Sequence, residues 1–216
     1  MFLLNAFSSP FLIIGFFLGI ILGLSIHEYF HALAAVKKGD LTPKLAGRLT
    51  LNPLAHLDPM GTIFLLIAGF GWGKPVPINP FNLRNPQKDQ AIISLAGPLA
   101  NIVFALILAI PIRLNHFGIG AEGIFYENFI LVLRIMIEIN LLLAIFNLLP
   151  IPPLDGSKIL FAFVSPQTQA SLENIGPWIL FMLLFTSYLT PFNIFSLTIL
   201  PIVQYLSYLI TAFPFS

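Results

Sequence analysis

Cysteine is absent from the chain, and charged residues are scarce. Without cysteine there are neither disulfides nor thiolate metal ligands, so histidine and carboxylate side chains are the candidate ligands for a metal ion. Charged residues make up 9% of the 216, against about 25% in a typical soluble domain. Hydrophobic residues reach 57%, and the mean hydropathy is +0.93. We therefore expect an all-α polytopic protein in a lipid bilayer, with no nucleic-acid partner.

The N-terminal segment also lacks basic residues, which a signal peptide carries before its apolar part. The apolar run 11–35 is therefore interpreted as a retained span, long enough to cross the ~30 Å hydrocarbon core. Its Gly15, Gly19 and Gly23 recur every four residues, which either permits close approach of another helix or reflects glycines that a membrane helix tolerates. Further spans are predicted at 91–112, 129–149, 177–189 and 192–213.

A shorter apolar piece at 60–70 covers only about half a bilayer as a helix. Basic loops flank it on both sides, and a full crossing would place these loops on opposite faces, against the positive-inside tendency. We therefore expect a re-entrant or β-edge segment near residues 60–80, giving five to six membrane helices in all. The following stretch GWGKPVPINP, residues 71–80, cannot be helical because its prolines lack amide donors. It is either an edge for peptide pairing or an inert surface loop.

The pattern that carries chemistry is HEYFH at 27–31. On a helix, His27 and His31 are four residues apart and share a face, so their imidazoles can converge on one metal ion. Glu28 lies beside the first of them and can hold a water molecule without binding the metal. This is the zinc-hydrolase arrangement, in which the metal acidifies the water and the carboxylate takes its proton. A pair of packed histidines at a helix end is the structural alternative.

The third ligand follows from the topology. Asp155 comes directly after the predicted third span. The predicted topology places it on the same side of the membrane as the C-terminal end of the first span. Eight of the ten basic residues fall on this side, which indicates the cytoplasm: Lys37, Lys38, Lys44, Arg48, Lys74, Arg84, Lys88 and Lys158. Three protein ligands with an open fourth position describe a catalytic zinc site. His56 and Asp58 are rival ligands, and we retain His56 as an accessory residue lining the site.

These residues resemble the site-2 protease family of intramembrane zinc metalloproteases. The shared features are HEYFH, the stretch 147–156 fitting NxxPxxxxDG, and SLAGPLAN at 94–101. The resemblance implies one zinc ion held by His27, His31 and Asp155, with Glu28 as general base. It further implies that Asn147 positions the substrate or the oxyanion. The implied substrate-pairing strand consists of Lys74, Pro75, Val76, Pro77 and Ile78.

The expected function is hydrolysis of peptide bonds in or near transmembrane segments, by Glu-assisted attack of zinc-bound water. A single-span membrane protein or a signal-peptide-like segment is the expected substrate. We expect one domain over 1–216, with a catalytic core at about 11–165 and C-terminal helices at about 175–213 that gate it, and neither a PDZ nor a regulatory domain. The expected location is the plasma membrane of a prokaryote, with the active site nearer the cytoplasmic face. The alternative is a metal-binding transporter or scaffold without peptidase activity.

Overall fold

The structure is a computed structural model that describes residues 9–68, 71–116, 123–189 and 195–212. These residues are mostly helical, and no β-strand forms among them, as the predicted all-α class requires. The α-helices are α1 (Pro10–Lys37), α2 (Thr42–Leu45), α3 (Pro59–Ala68), α4 (Pro86–His116), α5 (Ile124–Asn147), α6 (Asp155–Phe161), α7 (Pro166–Leu189) and α8 (Leu200–Thr211).

Three of these helices, α1, α4 and α5, are long and apolar enough to cross a membrane. They pack against one another and direct large apolar side chains outward, as expected of helices surrounded by lipid. The chain is therefore an integral membrane protein. The outward residues on α1 and α4 include Ile14, Leu18, Leu99, Val103 and Ile107.

The glycine stripe of α1 brings that helix against α5. Gly15, Gly19 and Gly23 are all buried. A β-carbon added at Gly19 would lie 3.0 Å from a methyl group of Ile139, and one at Gly23 would lie 2.8 Å from the Asn140 side-chain oxygen. The small residues thus allow close helix contact where lipid offers no hydrophobic gain from association. Of the two interpretations of the stripe, close approach of another helix is the one that the structure shows.

An apolar cluster joins α4 and α5 to α8 and to the residue before it, Ile199. Its buried members are Ala105, Ala109, Ile112, Leu133, Ile137, Leu141, Ile199 and Val203. Arg113 strengthens this contact because its Nε donates a 2.8 Å hydrogen bond to the carbonyl of Ile210, in the last turn of α8. The same guanidinium also donates to the Leu209 carbonyl. These bonds satisfy carbonyls that a helix end otherwise leaves unpaired.

The predicted count of five or six spans is not confirmed beyond three. The fourth predicted span lies in α7, whose first half, 166–176, is largely polar and leaves too short an apolar run. The last predicted span includes α8, which has only 12 residues, while residues 190–194 and 213–216 lie outside the described part of the chain. Neither helix meets the length and hydropathy that α1, α4 and α5 show.

The segment after α3 is extended, as its prolines predicted. α3 itself has ten residues, and the chain continues without helix from 71 to 79. An isolated antiparallel bridge joins Leu57 and Gly73, and the Lys74 amide donates a 2.8 Å hydrogen bond to the His56 carbonyl. Beyond this bridge the expected β-edge forms no ladder within the described residues, since Pro75 and Pro77 cannot donate.

Candidate metal centre

Two histidines of α1 meet near its C-terminal end. His27 and His31 lie one helical turn apart, and their Nε2 atoms are 2.9 Å from each other. Both side chains are buried, with exposed fractions of 4% and 6%. The i, i+4 spacing read from the sequence therefore does place both imidazoles on one face, directed at one point.

Asp155, the first residue of α6, completes the group. Its Oδ2 atom lies 3.1 Å from Nε2 of His27 and 3.0 Å from Nε2 of His31. The chain turns sharply between α5 and α6, and Gly156 makes that turn possible. A β-carbon at Gly156 would collide with the Leu148 carbonyl, so α6 can begin close to the end of α5 only with glycine there.

The hydrogen bond at Nδ1 of each imidazole fixes which ring nitrogen carries the proton. Nδ1 of His31 is 2.7 Å from the Ile93 carbonyl, which can only accept, so that Nδ1 carries the proton. Nδ1 of His27 is 2.7 Å from Oδ1 of Asn101. The amide group of Asn101 donates elsewhere, which leaves its oxygen to accept from His27. Neutral histidines in this tautomer direct both Nε2 lone pairs at the Asp155 carboxylate.

This donor set fits a zinc ion. Two imidazole lone pairs and a carboxylate oxygen within 3.1 Å of one another repel unless a cation lies between them. Among the described residues this is the one group of at least three histidine or acidic side chains with metal-binding spacing. His27, His31 and Asp155 are therefore the residues that could hold the zinc cofactor.

A polar network supports the histidines from α4 and α5. Asn101 is fully buried, and its Nδ2 donates to the Gly23 carbonyl and to Oδ1 of Asn140, both at 2.9 Å. Asn140 in turn donates a 2.8 Å bond to the Met136 carbonyl. Asn101 thus hydrogen-bonds between helices, and the network joins all three spanning helices behind His27.

Gly97 leaves room for the imidazoles. A β-carbon there would lie 2.5 Å from Nε2 of His31 and 2.8 Å from Cε1 of His27. The glycine of segment 94–101 therefore allows the histidine rings to pack directly against the backbone of α4.

Glu28 faces the extended segment. Its Oε2 accepts a 3.1 Å hydrogen bond from the Val76 amide, while the preceding Lys74 carbonyl accepts a hydrogen bond from Arg48. Arg48 is buried, and this burial lowers the pKa of its guanidinium, although the nearby Glu28 carboxylate opposes part of that shift. The carboxylate next to the first histidine thus contacts the segment that was predicted to pair with substrate.

The other predicted residues make hydrogen bonds outside the metal group. Asn147 ends α5, and its Nδ2 donates a 2.9 Å bond to the Leu143 carbonyl of the same helix. His56 is fully buried, with Nε2 2.7 Å from the Thr50 carbonyl, and holds the loop before the extended segment. Asp58, the second residue considered in place of Asp155 as third ligand, accepts from the Gly61 amide at the start of α3. Neither belongs to the metal-binding group found among the described residues.

Three supporting groups were missed by sequence reasoning: the Ile93 carbonyl, Asn140 and Arg48. A backbone carbonyl has no residue identity, so no sequence signal could have found the first. Asn140 is an amide within an apolar helix, and it could have been singled out because such side chains hydrogen-bond between membrane helices. Arg48 was counted only as a basic residue of a polar connection.

These features define a membrane-embedded zinc metalloprotease. The model of Peptidase family M50 matches residues 15–189, and the chain belongs to this family, which comprises the site-2 proteases. The match spans all three members of the metal group.

Curated relatives agree with this assignment. The chain is 41% identical over 172 residues to YwhC of Bacillus subtilis, provisionally named a zinc metalloprotease, with 78% of each chain covered. It is 35% identical to Rip2 of Mycolicibacterium smegmatis, covering 74% of this chain and 61% of Rip2. It is 31% identical to MJ0611 of Methanocaldococcus jannaschii, covering 64% of each. Both of these are also provisionally named zinc metalloproteases. No solved structure gives a significant match.

Proposed function

We propose that this zinc metalloprotease cleaves peptide bonds in or near the transmembrane segments of membrane-anchored proteins, and so acts in regulated intramembrane proteolysis. The observation that carries the proposal is the position of the metal group. His27, His31 and Asp155 are buried where a spanning helix meets α6, and Glu28 links them to an extended segment. A peptide bond reaching this site must come from within or beside the bilayer.

The proposed roles follow from the donor set. Zinc bound by His27, His31 and Asp155 supplies a Lewis acid that acidifies a water molecule and polarises a peptide carbonyl. Glu28 takes the proton of the attacking water and returns it to the leaving amine nitrogen. Asn101 and the Ile93 carbonyl hold the imidazoles in the tautomer that leaves Nε2 free. Asn147 is proposed to position the substrate or the oxyanion once its amide leaves the Leu143 carbonyl.

The substrate is proposed to bind as an extended chain along Lys74, Pro75, Val76, Pro77 and Ile78. A transmembrane helix hides its carbonyls in its own hydrogen bonds, so it must unwind before hydrolysis. Pairing with the backbone of this segment would compensate for part of the lost helix bonds. Arg48 at the Lys74 carbonyl and Asp40 at the Asn79 amide support this segment at its two ends.

The proposed location is the plasma membrane of a prokaryote, with the zinc site nearer the cytoplasm. The C-terminal helices from about 175 to 213 are proposed to gate substrate entry to a core formed by about 11–165. Because the chain has no native cysteine, cysteine pairs introduced across α7 and the turn 150–154 can be cross-linked selectively. Cross-linking should block cleavage, and full cleavage by the cross-linked protein would refute the gate.

The deciding experiment is cleavage of a single-span model substrate by the purified protein in detergent, beside Glu28→Gln. We expect the wild type to cleave and the variant to lose cleavage while it retains zinc, because Glu28 lies outside the metal group. Quantification of zinc in both proteins separates loss of a base from loss of metal. Zinc retention by both proteins with no cleavage of any single-span substrate would instead favour a non-proteolytic metal-binding protein.

A further inference from the structure

A groove of about 220 Å³ runs beside the extended segment, between it and helices α4 and α6. Alternate residues of the segment face it, as extended geometry requires. One wall consists of Val76, Ile78 and Pro80, and the other of Gln90, Ser94 and Lys158. The groove adjoins the metal centre, because Val76 donates to Glu28 and Lys158 follows Asp155 by about one helical turn.

Ser94 is the unexplained group in this wall. Its side chain is 1% exposed, and its Oγ has no hydrogen-bond partner among the described residues. A buried hydroxyl without a partner is uncommon in folded proteins, and it calls for a ligand or a water molecule. Ser94 lies next to Ile93, whose carbonyl holds His31, and Gly97 follows on the same face of α4. The hydroxyl therefore lies close to the reacting centre.

The polar groups of the groove are all able to donate hydrogen bonds. Lys158 offers an ammonium group, Gln90 an amide, and Ser94 a hydroxyl. Lys158 takes part in none of the ion pairs found among the described residues. The two acidic groups at the adjoining metal centre are already engaged, since Glu28 accepts from Val76 and Asp155 faces the histidines. One cation and two neutral donors without a resident anion match a carboxylate.

We propose that this groove binds a carboxylate of the peptide next to the scissile bond. The inference rests on the proposed proteolytic function and adds a specificity site to it. Two sources share this chemistry: an Asp or Glu side chain of the substrate near the cleaved bond, and the new C-terminal carboxylate of the cleaved product. The first source makes the groove a determinant of substrate choice, whereas the second makes it a product site.

The first test compares single-span substrates that differ at one position, with Glu, Gln or Lys scanned through the residues that flank the cleaved bond. If the side chain is the source, wild-type protein should prefer Glu over Gln at one position by about tenfold in kcat/KM, since charge-assisted hydrogen bonds exceed neutral ones. Lys158→Glu should reverse the preference towards Lys. Lys88→Glu should retain it, because Lys88 is exposed on α4 and does not line the groove.

The second test measures binding by calorimetry and needs no turnover, so a failure to bind can be distinguished from a failure to cleave. The zinc-loaded protein is titrated with the N-terminal product peptide as the free carboxylate and as its amide. If the product is the source, the carboxylate should bind about tenfold more tightly, and Lys158→Ala or Ser94→Ala should remove most of that difference. Thermal unfolding of each variant shows that it is folded. The proposal is overturned if neither the preference for the acidic substrate nor the binding of the product carboxylate depends on Lys158.

Discussion

The backbone amide of Val76 donates a 3.1 Å hydrogen bond to the Oε2 atom of Glu28. The two residues are 48 positions apart in the chain, yet this contact links the proposed general base directly to the proposed substrate segment. The carboxylate is therefore oriented by two elements, its own helix α1 and the extended chain after α3. A change in either should alter the position of the base.

Shortening Glu28 by one methylene group tests this orientation. In Glu28→Asp the carboxylate keeps its charge but no longer reaches both the Val76 amide and the reacting water. We expect kcat to fall by about 100-fold or more with zinc retained, within the range that general-base catalysis supplies. Glu127→Asp, the same change at an exposed residue in the first turn of α5, is the matched control. Equal activity of the two variants would contradict the role of Glu28.

Removal of the Asn101 side chain should weaken zinc binding without removing a ligand. Asn101→Ala leaves Nδ1 of His27 without its acceptor, so the imidazole loses both its orientation and its fixed tautomer. We expect zinc affinity to fall about 10- to 100-fold, measured by competition with a chelator. Asn174→Ala on α7, where the side chain is exposed, should leave the affinity unchanged. Unaltered affinity in Asn101→Ala would show that the backbone alone orients His27.

Gly97→Ala should disrupt the metal centre by steric conflict. Alanine favours a helix over glycine by about 1 kcal/mol, so on propensity alone α4 should become more stable. The added methyl group would, however, lie 2.5 Å from Nε2 of His31, and either the ring or the helix must move. We expect loss of most bound zinc, measured by elemental analysis of the purified protein. Leu99→Ala, on an exposed face of α4, is the control that should keep its zinc.

The acid stability of the protein should depend on Asp40, which follows the C-terminal end of α1. Burial alone would raise its pKa, but hydrogen bonds from Thr42, Asn82 and the Asn79 amide outweigh burial and lower the pKa below 3.8. Ionised Asp40 therefore stabilises the fold fully above the unfolded-state pKa, and this contribution is lost as pH falls through the lower, folded-state pKa.

Near neutral pH, Asp40→Asn should have a lower thermal unfolding midpoint in detergent than the wild type. On acidification the midpoint of the variant should change less than that of the wild type. Parallel loss of stability in both proteins over this acidic range would mean that other carboxyl groups dominate the pH dependence.

Much of the site could be predicted from the sequence, because its central elements are local. His27, Glu28 and His31 lie within about one helical turn, so their relative positions follow from helix geometry alone. Asp155 is 124 residues beyond His31. It was predicted from the distribution of basic residues, which placed both segments on one side of the membrane, and from the resemblance of 147–156 to a family motif. The extended chain at 71–79 followed from proline, which acts on its own backbone.

The features that the sequence did not predict depend on how the helices are rotated about their axes and on how far they extend into the membrane. The Ile93 carbonyl contacts His31, Asn140 contacts Asn101, and Arg48 contacts the Lys74 carbonyl. These contacts form only because α4, α5 and the loop after α2 adopt one particular packing. The sequence also could not predict how many spans exist in addition to the first three. The short apolar runs of the C-terminal third carry no periodic signal that distinguishes a membrane span from a surface helix.

The amino-acid sequence by itself determined the membrane environment and the two histidines with their neighbouring glutamate, and it indicated that Asp155 joins them. These properties depend on hydropathy, on charge and on residues close together in one helix. Only the tertiary structure decided which nitrogen of each histidine faces the metal, that Glu28 contacts Val76, and that Ser94 and Lys158 line one groove. Such contacts join residues distant in the chain, and their geometry is set by helix packing that no local pattern specifies.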